Sequence, residues 1–431
     1  MGESRWSRRA VLRIGGGTVL GSLAGCLDTL RGNDAESDSA GTESTDSGSD
    51  RESPDIAESV PWEHEFGMPV DSLHSDPSGT AILGTAELTP FAIDADGSRR
   101  WMLDTSGRVS AADEQFAYLD WIRHPEAEFA AVDSGTGAVK WRFVPPSEYE
   151  LATDLALGDD RLYLLTQQGG GAESEADRSF ARLYAVRPRT GEELWRKHLG
   201  ARSVAAWRVA SAEGNAFAFK RRGDLRMFSP DGQELWSDSL AQPESSGYGD
   251  RVRLVFSDVF VRDGTLYVGV RWNDRQNTAS VRAITLQDGR LQWESEGYDI
   301  VTAVDDDAVL CSYMGHRSAA LDSRDGSEVW QHVYEDNEPA VWGPVVNEIQ
   351  YVSAHEVGFD SNSIRLLAQD VATGEILANR EFSGNRMTGA VVIDDWVFFG
   401  TGWELPAEAD HEREYSGTVH GITGFHAEGG W

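Results

Sequence analysis

The sequence predicts an all-β fold, an eight-bladed β-propeller of four-stranded antiparallel blades closed by the N- and C-terminal strands. Three observations predict it. A short strand, a turn that ends in Gly and a second strand with Trp four residues after that Gly recur along the chain. From residue 60 onward helical periodicity is absent, and short β-branched and aromatic runs alternate with Gly, Asp and Asn turns. The final blade lacks its outer strand, and a strand without a preceding partner lies at the other end of the array.

The repeat is clearest in residues 183–195, which read LYAVRPRTGEELW. Six copies keep both the Gly and the Trp: Gly97 and Trp101, Gly137 and Trp141, Gly191 and Trp195, Gly232 and Trp236, Gly289 and Trp293, Gly326 and Trp330. A seventh copy keeps Gly374 but has Ala378 where the Trp would lie. Self-similarity of this kind indicates a repeat architecture.

One repeat unit occupies residues 254–293. Strands are predicted over 254–261, 265–270 and 280–286, and the turn at Gly289 leads into the strand that carries Trp293. A tight hairpin needs a residue at positive φ, which Gly adopts without steric cost. Each Trp offers a large apolar face and one N–H, which suits packing against a neighbouring blade. We therefore interpret these Gly and Trp residues as structural.

The two ends of the array indicate the blade count. After Ala378, strands are predicted over 388–393, 396–400 and 418–425, and the outer strand of that blade is missing. Residues 60–66, which include Trp62, form an outer strand with nothing before it. Pairing these two ends completes an eighth blade and removes an exposed sheet edge. Seven blades is the alternative.

The turns show a family resemblance. Several begin with an Asp that can accept hydrogen bonds from the amides of its own turn: Asp94, Asp133, Asp322 and Asp370. Over residues 60–430 the pattern resembles the PQQ-type propeller repeat (ALDxxTGxxxW) of quinoprotein dehydrogenases and of the propeller lipoprotein of outer-membrane-protein assembly. Arg187, Ser229 and Thr285 replace the Asp in three copies, and Ala378 replaces a Trp. These departures predict looser junctions at the blades concerned.

The N-terminal sequence predicts where in the cell the protein is located. Arg8 and Arg9 precede an apolar run over residues 11–24, which is too short for a durable membrane span. This arrangement resembles a twin-arginine export signal. Residues 23–26 (LAGC) resemble a lipobox in which Cys26 is lipidated. We therefore assign residues 1–25 to a signal peptide, 26–59 to a lipid-anchored, disordered acidic linker and 60–431 to the propeller, held outside the cytoplasm on the outer face of the cell membrane.

The charge restricts the class of partner. The chain has 72 Asp and Glu against 38 Lys and Arg, a net charge of -34, and only three lysines. Nucleic acid binding requires cations that neutralise phosphate, so we expect no nucleic acid partner. Molar salt would screen the repulsion within such a surface, which predicts a halophilic microbe as the source. An ordinary acidic secreted protein is the alternative.

Extra residues cluster on one predicted face. They lie at 167–180, 271–278, 353–363 and 402–416 between the second and third strands of their blades, and at 241–251 between two blades. These connections emerge on the same side of a propeller, and repeat proteins place insertions on their binding face. The candidate binding residues are Arg178, Arg275, His355, Trp403, His411 and Tyr415. The alternative is that these segments are tolerated surface loops.

Catalytic and metal-binding signatures are absent from the sequence. Residues 408–415 are rich in Glu, Asp and His but lack the spacing of a metal-binding helix. The run Asp305–Asp307 lacks the alternating ligands of a Ca²⁺ loop. With Cys26 lipidated, Cys311 is left as a buried thiol. We expect no catalytic residue and no metal site.

Two functions follow from these observations. The first is a monomeric, non-enzymatic binding or scaffold protein without a cofactor, whose protein or small-molecule partner meets the insertion-bearing face. The second is a PQQ-dependent quinoprotein-type dehydrogenase. The resemblance implies, for that class, PQQ in the central funnel, a Ca²⁺ held by acidic and amide side chains, and often an adjacent Cys pair. The chain has no adjacent Cys pair, which favours the first function.

Overall fold

Short runs rich in Val, Ile, Ala, Leu, Phe and Tyr alternate with turns along the chain, and each run forms a β-strand. The computed structural model describes residues 62–423, apart from 67, 69, 77–78, 122–127, 148–149, 169–179, 202–206, 221–222, 240–258, 272–278, 306, 314–316, 335–339, 356–362, 385, 389, 394–395 and 405–414. Its strands form eight antiparallel sheets, each of which is one blade. The predicted eight-bladed propeller is confirmed, and the alternative of seven blades is wrong.

The first strand of the described residues, β1 (Trp62–Phe66), belongs to the last blade. Blade 1 comprises β2 (Val70–Ser75), β3 (Ala81–Ala86), β4 (Thr89–Asp94) and β5 (Arg99–Met102). Blade 2 comprises β6 (Arg108–Ala112), β7 (Phe116–Trp121), β8 (Glu128–Asp133) and β9 (Val139–Phe143). Blade 3 comprises β10 (Glu150–Leu157), β11 (Leu162–Gln168), β12 (Phe180–Val186) and β13 (Glu193–Ala201). Blade 4 comprises β14 (Trp207–Ala212), β15 (Asn215–Lys220), β16 (Asp224–Phe228) and β17 (Glu234–Ser239).

The remaining blades repeat this order. Blade 5 comprises β18 (Phe260–Arg262), β19 (Thr265–Arg271), β20 (Ala279–Thr285) and β21 (Leu291–Glu296). Blade 6 comprises β22 (Ile300–Val304), β23 (Ala308–Tyr313), β24 (Arg317–Asp322) and β25 (Glu328–Val333). Blade 7 comprises β26 (Ala340–Val346), β27 (Ile349–His355), β28 (Ser363–Asp370) and β29 (Ile376–Ser383). Blade 8 comprises β30 (Arg386–Met387), β31 (Val391–Ile393), β32 (Trp396–Glu404), β33 (Tyr415–Thr423) and β1.

The strands of a blade are called A to D in chain order, from the centre of the ring outward. The A strands contact one another around the ring: β2 with β6, β6 with β10, β10 with β14, β18 with β22, β22 with β26, β26 with β31, and β31 with β2. Separate clusters of buried apolar side chains fill the spaces between consecutive blades. The core is therefore a series of interfaces arranged in a ring.

The N-terminal strand closes the ring. Strand β1 pairs antiparallel with β33, with Trp62 opposite Gly421 and Phe66 opposite Gly417. The His420 ring lies 2.9 Å from the carboxylate of Glu63 and 2.8 Å from the hydroxyl of Thr401, so side chains from three strands of blade 8 meet. The predicted closure of the last blade by both ends of the chain is confirmed.

The repeated Trp residues join neighbouring blades. Each donates its indole N–H to a backbone carbonyl in the C–D turn of the next blade, over 2.7–3.0 Å. The pairs are Trp101 to Ser134, Trp141 to Pro188, Trp195 to Pro230, Trp236 to Leu286, Trp293 to Ser323 and Trp330 to Val371. These contacts support the interpretation of the Trp residues as packing elements.

The repeated Gly residues lie directly against these rings. Gly326 has a φ of +73°, and a Cβ at this position would lie 2.5 Å from the ring of Trp293. Two requirements therefore favour Gly here, a left-handed backbone and room for the indole. The same close approach joins Gly137 to Trp101, Gly191 to Trp141, Gly232 to Trp195, Gly289 to Trp236, and Gly374 to Trp330.

The three turns without Asp are not looser. The indole N–H to carbonyl distances there are 2.7 Å at the Arg187 turn, 2.8 Å at the Ser229 turn and 2.7 Å at the Thr285 turn. The Asp-containing turns give 2.7–3.0 Å, so the expectation of looser junctions is wrong for these copies. The reason is that the indole bonds to a backbone carbonyl, and backbone hydrogen bonds hold the turn itself.

The junctions around blade 8 differ from the others. Ala378 offers no indole, and it lies instead against a buried cluster that includes Phe382 and Phe399, whose rings are 4.5 Å apart. Trp62 has its backbone in β1 and Gly97 lies at a φ of +86° in blade 1, but the Trp62 side chain is outside the described part. The structural role of Trp62 stays a prediction.

The blade topology defines two faces. The A–B and C–D turns form one face of the ring, called the turn face. The B–C and D–A connections form the opposite face, called the insertion face, because the five predicted insertions fall there. Residues 1–25 and 26–59 lie outside the described residues, so the signal peptide, the linker and the export residues Arg8 and Arg9 stay predictions. Within the described ranges, no helix has the length and apolar character needed to cross a membrane.

Candidate binding face

The predicted binding residues divide into two groups. Arg178, Arg275 and His411 lie outside the described residues. His355 ends β27, Trp403 lies next to the end of β32 and Tyr415 begins β33, so the backbones of these three residues are at the insertion face. Trp403 is opposite Ser416 in the pairing of β32 with β33. Their role in binding stays a prediction.

Five ion pairs mark the insertion ends of the blades. In each, an Arg near the end of one strand meets a carboxylate from another strand of its blade or from the neighbouring blade: Arg108 with Asp120, Arg142 with Glu128, Arg182 with Glu150, Arg208 with Asp154, and Arg271 with Asp299. The carboxylate side chains are 0–5% exposed, whereas the arginine side chains are 22–43% exposed. We call these five arginines the guanidinium belt. Buried acids hold these arginines, and the outer parts of the arginine side chains face solvent.

Two ion pairs on the turn face have a different character. Both partners are exposed in the pair of Arg187 with Glu192, at 57% and 63%, and in the pair of Arg324 with Asp307, at 73% and 86%. Exposed pairs of this kind contribute little and change partners readily. Burial of the carboxylate is therefore a feature that separates the guanidinium belt from these turn-face pairs.

Two belt pairs lie together near the centre of the ring. Arg108 is directly opposite Asp120 in the pairing of β6 with β7. Asp154 accepts a hydrogen bond from the backbone N–H of Val209 at 2.9 Å and forms an ion pair with Arg208 at 2.9 Å. These two contacts join blade 3 to blade 4. Burial raises the pKa of the Asp120 carboxyl, and the charge of Arg108 opposes this rise. Loss of an arginine here would leave a buried acid without compensation.

Glu150 is the most fully bonded of the belt carboxylates. Besides Arg182, it accepts hydrogen bonds from the hydroxyl of Thr166 at 2.7 Å and from that of Tyr184 at 2.8 Å. Burial, together with this hydrogen bond to Glu150, raises the pKa of Tyr184 to about 12. The tyrosine therefore stays a donor at neutral pH and fixes the carboxylate that holds Arg182.

Aromatic rings support further cations at the same ends of the blades. The ammonium of Lys220 lies 4.4 Å from the centre of the Trp207 ring, which is itself buried. The guanidinium of Arg317 lies 5.1 Å from the rings of both Tyr298 and Tyr313 and donates to the carbonyl of Gly297 at 2.6 Å. Cation–π contacts of this kind limit the motion of the charged group. The insertion face thus presents positioned cations in a strongly acidic protein.

Comparison with known families identifies the repeat. The family model described as outer membrane protein assembly factor BamB matches three overlapping parts of the chain, residues 57–209, 91–271 and 179–414. Together these matches span most of the sequence. The chain belongs to the BamB family. The predicted resemblance to PQQ-type propeller repeats is therefore confirmed, whereas the export signal and the lipid anchor stay predictions.

Solved structures show the same fold for this BamB-family propeller. BamB from Moraxella catarrhalis superposes with a TM-score of 0.52 at 13% identity, over 85% of this chain and 100% of that one. The computationally designed Ika8 protein gives 0.58 at 13% identity, over 83% and 98%. Quinohemoprotein alcohol dehydrogenase from Comamonas testosteroni gives 0.54 at 11% identity, over 84% and 76%. No curated protein matches the sequence. Likeness at these identities shows the propeller fold alone.

The BamB-family propeller also has a cleft on its turn face. It lies between blades 5 and 6 and has a volume of about 350 Å³. Its lining includes Arg262, Tyr267, Asp305 and Arg324. Burial raises the pKa of both Asp305 and Tyr267. Turn length predicted a plain face here, and the cleft was missed because it arises from the side chains of two adjacent blades.

The described side chains offer no calcium site of the kind that the resemblance implies for the quinoprotein class, and the expectation that no cofactor binds stays a prediction. No group of three His, Cys, Asp or Glu residues in the described ranges is arranged to hold a metal ion. The buried carboxylates at the insertion ends are engaged by arginine, so they do not offer a set of oxygens to a cation. Cys311 is buried, and burial raises the pKa of its thiol. The prediction of a buried Cys311 is confirmed.

Proposed function

We propose that this BamB-family propeller is a lipid-anchored, extracytoplasmic scaffold protein that binds a partner through its insertion face without catalysing a reaction. One observation carries the proposal. The short turns and the Trp–Gly contacts occupy the turn face, and the five insertions connect strand ends at the opposite face, where arginines are held by buried acids. Loops on a rigid repeat scaffold are the usual place for binding residues.

The direction of β1 is consistent with an anchored protein. As strand D of blade 8, it runs from the turn face at Trp62 to the insertion face at Phe66. Residues that precede it, including Cys26, therefore leave the propeller from the turn face. A lipid at Cys26 would direct the insertion face away from the membrane, where a partner in the aqueous phase can reach it. A second lipid chain would be needed for durable anchoring.

Partner capture tests the binding role. The chain is compared with a variant in which residues 169–179 and 405–414 are replaced by short Asn-Gly turns. We expect the variant to fold, judged by its circular dichroism and urea unfolding, and to lose the partner that the parent chain retains from a membrane extract. A turn-face variant, Asp231→Asn, serves as control and should retain it. Equal capture by the loop variant would contradict the proposal.

Localisation tests the anchor. We expect Cys26→Ser to release the protein into the medium, because the lipid would be lost while export continues. Arg8→Lys with Arg9→Lys should leave the precursor inside the cell. A Cys26→Ser protein that stays on the membrane would contradict the lipid anchor, and unimpaired export of the double Lys variant would contradict the twin-arginine signal.

Titration with PQQ and Ca²⁺ in molar salt separates the scaffold from a dehydrogenase. A scaffold should show no saturable change in absorbance or thermal stability. A saturable change accompanied by oxidation of an alcohol or a sugar would overturn the non-enzymatic role and leave the fold assignment unaffected.

A further inference from the structure

The guanidinium belt extends over blades 2–5 at the insertion face. Each of its arginines is held from below by an acid that is at most 5% exposed, and at least a fifth of its own side chain reaches solvent. Desolvating a carboxylate is costly, and the cost is repaid only when the partner charge is well placed. The result is a set of guanidinium groups whose orientation is determined before any ligand arrives, which lowers the entropy cost of binding.

The A–B turns of the opposite face carry a regular series of exposed carboxylates. In each of blades 2–7 an exposed carboxylate lies in the A–B turn: Glu114, Asp160, Glu213, Asp263, Asp307 and Glu348. An acidic ligand would be repelled there and would meet positioned donors on the insertion face. An acidic ligand is therefore expected to bind the insertion face in preference to the turn face.

We propose that the guanidinium belt binds the carboxylates of an acidic protein partner, an inference that rests on the proposed binding role of the insertion face. Guanidinium and carboxylate match in planar geometry and form charge-assisted hydrogen bonds. The five arginines belong to different strands at the insertion ends of blades 2–5, so together they offer guanidinium groups to several Asp or Glu side chains of one partner.

The same geometry disfavours nucleic acid. Each belt arginine is already neutralised by its buried acid, so the local net charge is close to zero in a protein with a net charge of -34. Affinity for nucleic acid depends on net positive charge that replaces counterions along the phosphates. Binding of separate Asp and Glu side chains requires only directed hydrogen bonds from the arginines. An acidic protein segment is therefore the ligand that matches the belt.

Fluorescence anisotropy tests the inference. The full-length chain is titrated, in molar potassium chloride, against a fluorescein-labelled peptide of alternating Asp and Ser and against its counterpart of alternating Asn and Ser. We expect saturable binding of the Asp peptide alone. Arg108→Lys/Arg182→Lys/Arg208→Lys keeps every charge and every buried pair but removes the planar fork, and it should weaken binding about tenfold. Arg108→Gln/Asp120→Asn, which replaces one pair with neutral groups of similar shape, should also weaken it.

Matched controls make the outcome decisive. Arg187→Lys/Arg290→Lys/Arg324→Lys changes three exposed turn-face arginines and should leave the affinity unchanged. Equal binding of the Asn peptide, undiminished binding by the belt variants, or tighter binding of a single-stranded oligonucleotide would each overturn the inference.

If the Asp peptide does not bind while the loop variant still loses its captured partner, the belt inference fails and the scaffold function stands. If the Asp peptide binds while loop replacement leaves capture unchanged, the scaffold function fails.

Discussion

The repeated Trp and Gly contact each other between blades and not within one copy of the repeat. Trp293 of blade 5 lies against Gly326 of blade 6 and donates its N–H to the carbonyl of Ser323 in the same turn. Each copy therefore supplies the Gly for the blade before it and the Trp for the blade after it. Stability of the ring is then close to a sum of such interfaces, as in other repeat proteins.

Gly326→Ala tests this contact. The new Cβ would lie 2.5 Å from the Trp293 ring and would also be strained at a φ of +73°. Gly264 is a matched control because its φ is +71° and nothing lies within 4 Å of its Cβ position. We expect Gly264→Ala to cost about 1–2 kcal/mol of unfolding free energy, and Gly326→Ala to cost clearly more. Urea unfolding in molar salt measures both, and equal losses would contradict the Trp contact.

Trp195→Ala tests the indole. The ring lies between Tyr163 and Phe228, with centroids 5.9 Å and 6.4 Å away, and its N–H bonds to Pro230. We expect a loss of about 3–5 kcal/mol through cavity formation, and a smaller loss for Trp195→Phe, which keeps a ring but not the donor. Leu235→Ala, at a side chain 45% exposed, should change stability by less than about 0.5 kcal/mol. A Trp195→Ala loss no larger than that of Leu235→Ala would exclude a packing role.

Sequence spacing predicted these residues but not their partners. A Trp four residues after a Gly is visible in six copies, because both belong to one turn and its following strand. The ion pairs of the guanidinium belt have no such local pattern. Arg108 and Asp120 are 12 positions apart, and Glu150 and Arg182 are 32 apart. Only the register of the strands and the blade packing bring them together, so they were missed.

Among the strands, β1 has the largest effect on the architecture because it closes blade 8. Its Glu63 meets His420 of β33, and the His420 ring is buried and stacks on Phe399 with centroids 5.0 Å apart. Burial lowers the pKa of His420, Arg380 lowers it further, and the charge of Glu63 opposes this effect. The closure therefore holds a neutral imidazole that hydrogen-bonds two other strands.

Acidification is expected to weaken this closure. In the unfolded chain His420 takes up a proton near pH 6.5, whereas in the folded chain its lowered pKa delays protonation to lower pH. The unfolded state therefore binds more protons in this interval, and the unfolding free energy decreases as the pH falls through about 6.5. Urea unfolding at a series of pH values should show this slope, and His420→Gln should reduce it. His64→Gln, on the same strand as Glu63, should retain it. A slope unchanged by His420→Gln would contradict the assignment.

Blade 8 also shows how far sequence patterns describe an element. The position of β1 was predicted because residues 60–66 have a strand pattern and no preceding partner. The innermost strand was predicted as one run over 388–393, but the structure has β31 over the second half of that run and a separate β30 just before it, both paired with β32. Such breaks depend on packing at the ring junction and leave little trace in local composition.

The eight blades combine into a molecule with two unlike faces. Sequence reasoning predicted the blade count and the face that carries the insertions, because both depend on spacing along the chain. It did not predict the cleft between blades 5 and 6, because Arg262 and Arg324 belong to different blades. Properties of a face depend on residues that only the closed ring brings side by side.

The orientation of these faces on a membrane is the last prediction. Because β1 enters blade 8 from the turn face, a lipid at Cys26 should hold that face toward the bilayer. Asp288 and Glu296 are matched reporters, since both are exposed and lie at opposite ends of the outer hairpin of blade 5. Asp288→Cys and Glu296→Cys can be labelled with a fluorophore because Cys311 is buried.

Paramagnetic lipid headgroups in reconstituted vesicles should quench the label at position 288 more than the label at position 296. A linker of about thirty residues spans roughly 30 Å as a coil, so the propeller takes many orientations relative to the bilayer. The difference in quenching between the two positions is an average over these orientations and should remain measurable. Combining each variant with Cys26→Ser should abolish quenching at both positions, because the chain then leaves the membrane. Stronger quenching at position 296 would place the insertion face against the bilayer, and a partner in the aqueous phase would then have to bind the turn face.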